Sequence, residues 1–79
     1  MASKKQSLDP AALAESGEAI FGPDWKTPMA EELGVGRRTI SRWAAGDFNI
    51  PPGIAGELAD VAERAASRLA AVIAKLRKM

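Results

Sequence analysis

The sequence predicts an all-α protein, and three observations predict it. Alanine, leucine, glutamate and arginine dominate the chain, whereas β-branched and aromatic residues are few and scattered. Apolar residues recur at spacings of three and four. Helix punctuation then cuts the chain into four stretches, with Asp9-Pro10 and Thr27-Pro28 as starts and Gly22-Pro23, Gly34 and Gly46 as stops. At 79 residues the chain makes one domain, near the lower end of what a single unstapled core supports. Long apolar side chains are therefore structural first, and dimerisation would help.

Residues 1–7 are polar and expected to be a flexible N-terminus, leaving residues 8–79 as the domain. Asp9 fits a helix N-cap with proline at the first helical position, opening a first helix at about Pro10. Leu13, Gly17 and Ile20, with Phe21 beside them, mark its inner face, and Gly17 implies close approach of another helix. Thr27-Pro28 starts a short second helix that buries Met29, Ala30 and Leu33 before Gly34 stops it. After Val35 and Gly36, a third helix runs from about Arg37 to Ala45 with Ile40 and Trp43 inward, until Gly46. The segment from Asp47 to Gly53, with Pro51-Pro52, reads as a rigid loop whose Phe48 and Ile50 pack down on the core. From about residue 54 to residue 77 only Gly56 interrupts a helix, which is long for so small a domain.

Along that last helix Leu58, Ala62, Ala65, Leu69, Val72, Leu76 and Met79 alternate at spacings of four and three, flanked by Val61, Ala66 and Ile73. The first half can reach the core. The second half outruns it, so Leu69, Val72, Ile73 and Leu76 are expected to form a subunit contact in a homodimer.

Composition narrows the chemistry. The chain has no cysteine, histidine or tyrosine, so it lacks thiolate metal sites, disulfides and the commonest general base. An enzyme is not expected, nor are a cofactor, a metal or a small-molecule ligand. No secretory signal or membrane-length apolar run is present, which predicts a cytoplasmic protein. Net charge is only +1, but its distribution is uneven: residues 36–45 hold three arginines and no acid, while Asp24, Glu31, Glu32 and Asp47 lie outside.

The segment KTPMAEELGVGRRTISRWAA, residues 26–45, carries a recognisable pattern. A small residue, Ala30, stands where two helices must cross closely, and Gly34 stands where the turn needs positive φ. Met29, Leu33, Val35, Ile40 and Trp43 fill the apolar positions. The segment resembles the helix-turn-helix of Cro/CI-type (XRE-like) phage repressors and covers about a quarter of the chain. The wider skeleton FG-W-TP-LGV-RT-RW-G-IPP is similar to that of short proteobacterial and phage regulators. Two departures stand out: Gly36 replaces the usual polar cap of the recognition helix, and one long helix replaces two short terminal ones.

The resemblance implies a compact, lambda-repressor-like bundle that binds double-stranded DNA. It assigns Arg37, Arg38, Ser41 and Arg42 to base edges in the major groove, and Lys26 and Thr27 to phosphates. Helical spacing agrees independently, because inward Ile40 and Trp43 turn residues 37, 38, 41 and 42 outward. Alone, three surface arginines are a solvated basic face; within this motif they are readers of guanine. Trp25 and Trp43 could stack on bases, but their positions make them core residues. Lys4 and Lys5 read as part of a mobile terminus rather than a groove-binding arm. The basic residues late in the last helix suit its dipole. The expected function is a homodimeric transcriptional regulator on a palindromic operator, repressing by promoter occlusion, in a phage or mobile-element setting. A DNA-architectural or recombination accessory protein and an antitoxin-like interaction module are the alternatives.

Overall fold

A computed structural model describes residues 8–79; the expectations for residues 1–7, including Lys4 and Lys5, lie outside the described residues. The chain forms four helices and no strand among those residues: α1 (Pro10–Phe21), α2 (Lys26–Leu33), α3 (Arg37–Ala45) and α4 (Ile54–Arg77). The protein is an all-α bundle in which α2, the Gly34 turn and α3 form a helix-turn-helix.

Local chemistry explains the boundaries. The Asp9 carboxylate accepts a 2.7 Å hydrogen bond from the Ala12 amide, and Pro10 sits in the first turn where its missing N–H is not needed. Gly34 and Gly46 end α2 and α3 in the left-handed region, at φ of 72° and 82°. Each turn then closes in the same way: the Val35 amide donates to the Ala30 carbonyl and the Asp47 amide to that of Arg42, both at 3.0 Å. This is the Schellman arrangement, which requires a residue tolerant of positive φ at the turn.

The start of α2 differs from expectation. Trp25 occupies the cap position, no side chain caps the helix, and Lys26 is already helical. Thr27 is thus inside the first turn. Pro28 follows without cost, because the first four amides of a helix have no partner within it.

The core is centred on Leu13, Met29 and Ile40, fully buried and drawn one each from α1, α2 and α3. Trp25, Ala30, Trp43, Ile50, Ile54 and Leu58 complete it, so both tryptophans are core residues as their positions imply. Gly17 does permit a close approach, but of a ring rather than a helix: a Cβ there would collide with the Trp25 indole. Leu33 and Val35 are only half-buried and pack on the margin. Phe48 departs further, being 53% exposed while Ile50 is buried. Bends at Asp47 and Phe48 break the extended geometry that would have turned both side chains to the same side.

In α4 the inward face is Ile54, Leu58 and Val61, whereas Ala62 is half-buried, so the seam lies nearer Val61 than the sequence pattern places it. Every residue from Ala66 onward is exposed, including Leu69 at 60% and Leu76 at 60%. An α4 of 24 residues is about 36 Å long, twice the length of α1, and among the described residues nothing covers its far end. No helix among the described residues is long and apolar enough to cross a membrane.

Candidate nucleic-acid interface

The backbone of α3 lies beside α1 and α2 and stays clear of that of α4, so its outer face and the projecting end of α4 are separate surfaces. Ile40 and Trp43 anchor α3 to the core, and this fixes which residues face outward. Arg37, Arg38 and Arg42 are exposed; Ser41, on the edge of that face, is half-buried. Among the described residues no carboxylate forms an ion pair with any of these arginines, since the ion pair present joins Arg64 and Glu32 across α4 and α2.

Two of the arginines are held in place. The Arg37 Nε–H donates a 3.0 Å hydrogen bond to Thr27 Oγ1, tying the start of α3 to the first turn of α2. The remaining guanidinium donors stay available, because arginine carries five N–H groups and this bond uses one. Arg42 lies over the Phe48 ring, 5.1 Å from its centroid, a cation–π arrangement that leaves the guanidinium edge open to a ligand. Phe48 is the residue that sequence reasoning assigned to the core and the structure places beside the arginines.

Lys26 and Thr27 stand at the start of α2, with the Lys26 ammonium 5.8 Å from the Trp25 ring centroid. Neither α2 nor α3 has a side chain capping its N-terminus, in contrast to α1 with Asp9. The amides and the positive dipole end are thereby left for an external anion, next to Lys26 and Thr27. All six residues singled out from the sequence on this side therefore lie on α2's first turn or the outer face of α3, and Arg37 and Thr27 touch.

Such a surface presents forked donors on a rigid helix flanked by an anion-attracting helix end. Its chemistry suits negative charge and hydrogen-bond acceptors. Among the described residues, no group of three or more histidine, cysteine or acidic side chains gathers as a metal site would need. Set against known proteins, the chain matches no family model, no curated protein and no solved structure. The class defined by the geometry is a four-helix protein with a helix-turn-helix and a projecting last helix.

Proposed function

We propose that the chain is a sequence-specific, double-stranded DNA-binding transcriptional regulator that represses by occluding a promoter. The observation that carries this reading is the outer face of α3, where three exposed arginines without carboxylate partners stand beside the uncapped first turn of α2. In this reading α3 enters the major groove. Arg37, Arg38 and Arg42 donate to guanine O6 and N7, Ser41 makes a shorter contact at the edge, and Lys26 and Thr27 hold phosphates. Phe48 orients Arg42, and Thr27 orients Arg37.

One α3 spans only a few base pairs, so useful specificity calls for a homodimer on palindromic half-sites about 10 base pairs apart. Repression by occupancy needs nothing beyond DNA binding. The bare end of α4 favours a second reading, an antitoxin-like module that grips a partner protein. Selection from a random duplex library, followed by fluorescence anisotropy with the purified chain alone, separates the two. Enrichment of a guanine-containing palindrome bound in the nanomolar range is expected; equal, weak binding to all duplexes would reject sequence-specific regulation.

A further inference from the structure

The projecting second half of α4 and the apolar groove beside its first half have complementary shape and charge. The groove runs between α1 and the first half of α4, lined by Ser16, Ala19 and Ile20 on one wall and by Ala55, Ala59 and Ala62 on the other. Its alanines and Ser16 keep it shallow and open, with Leu8, Ile20 and Leu58 as its bulkier members. It continues past Ala65 to Leu69 and Val72, where the bundle ends. There the same face of α4 changes character: alanines give way to Leu69, Val72, Ile73 and Leu76, all about half exposed or more.

Charge separates the two parts as well. In the first half of α4, Glu57 and Asp60 face α2 together with Glu32 and Arg64 rather than lining the groove. Arg64, Arg68, Lys75, Arg77 and Lys78 follow Glu63 with no further acid. The groove's other wall, α1, contains Glu15 and Glu18 and no base, and Glu15 lies one turn before Ala19. A chain whose α4 is bulky and basic at its far end, and whose α1–α4 groove has small side chains and an acidic α1 wall, is complementary to itself only when the two α4 helices run in opposite directions.

We infer that two copies of this chain pair through α4 in antiparallel orientation, the second half of each α4 seated in the α1–α4 groove of the other. Large residues then face small ones in two layers, Leu69 opposite Ala65 and Val72 opposite Ala62, while Leu76 comes over the end of the groove at the buried Leu58. Alternation of large and small side chains across facing positions is what close packing of two helices needs. A parallel pairing would instead bring the two basic halves together, with large side chains against large and the grooves left empty. The antiparallel pairing is isologous, as a two-fold dimer requires, and leaves the outer faces of both α3 helices uncovered, because no α3 residue lines the groove.

This pairing rests on the reading that the chain works as a homodimer, not on what α3 binds. The native chain has no cysteine, so introduced thiols report without background. Ala62→Cys and Val72→Cys are made as separate single variants, checked for helicity, and oxidised alone and as a 1:1 mixture after subunit exchange, with mass measured by analytical ultracentrifugation. In the antiparallel dimer equivalent positions lie about 15 Å apart along the helix, too far for a disulfide, while residue 62 of one chain meets residue 72 of the other. The expected result is a covalent dimer in the mixture and little in either variant alone. Efficient cross-linking of each variant alone would establish parallel pairing and overturn the inference. A non-covalent dimer that cross-links in no combination would place the interface elsewhere, also overturning it. A monomer at all concentrations would reject the homodimer reading itself.

Discussion

Helix α3 and the second half of α4 are both amphipathic, both basic and both carry large apolar residues three or four positions apart, yet they meet opposite fates. Ile40 and Trp43 of α3 are buried, whereas Leu69, Val72, Ile73 and Leu76 of α4 are exposed. The difference lies in what can reach them. Helices α1 and α2 have 12 and 8 residues and cover α3 on its inner side; the last three turns of α4 extend past both. An apolar stripe thus states that something will be covered, and the lengths of the neighbouring elements decide whether the chain covers it itself.

That contrast can be broken by mutation, and the largest effect is expected at Ile40. Ile40→Ala should lower folding stability by about 2–5 kcal/mol in urea denaturation, since a fully buried side chain leaves a cavity. A loss below about 1 kcal/mol would mean that the centre of the core lies elsewhere. Gly17→Ala comes next. Its methyl group meets the Trp25 ring and should cost about 1–3 kcal/mol, with a change in tryptophan fluorescence as the indole shifts. Were the substitution neutral or stabilising, helix propensity would outweigh the close approach.

The smallest effect sharpens the comparison from the other side. Leu69→Ala, at low concentrations where any pairing is dissociated, should change stability by no more than about 0.5 kcal/mol, as exposed positions do. A loss like that at Ile40 would show that Leu69 belongs to the core of the single chain.

The sequence made the helix ends legible because they depend on local chemistry. Asp9-Pro10, Gly34 and Gly46 each specify a backbone conformation through one or two residues, and the four helices begin and end where those signals stand, apart from the start of α2. Thr27-Pro28 misplaced that start by mimicking the Asp9-Pro10 signal, although Thr27 in fact accepts a hydrogen bond from Arg37, ten residues away. The surroundings of Phe48 and Gly17 were less legible, because they depend on contacts distant in sequence. Whether Phe48 turns inward depends on bends in its loop, and what lies over Gly17 depends on the path of the chain between α1 and α2; neither is encoded in spacing along one helix. The outward arginines of α3 were legible because inward Ile40 and Trp43 fix their direction, but the partners holding Arg37 and Arg42 were not.

The central claim is that the outer face of α3 reads base sequence while the start of α2 holds the backbone. It is tested by measuring affinities of the wild type, Arg38→Ala, Arg42→Ala and Lys26→Ala across a salt series on the selected operator and a scrambled duplex. Each arginine substitution is expected to weaken operator binding by about 1–3 kcal/mol more than it weakens scrambled binding. Lys26→Ala should weaken both duplexes alike and reduce the slope of log affinity against log salt by about one. Unchanged operator preference in both arginine variants, with helicity intact, would contradict the account and place the recognition surface away from α3.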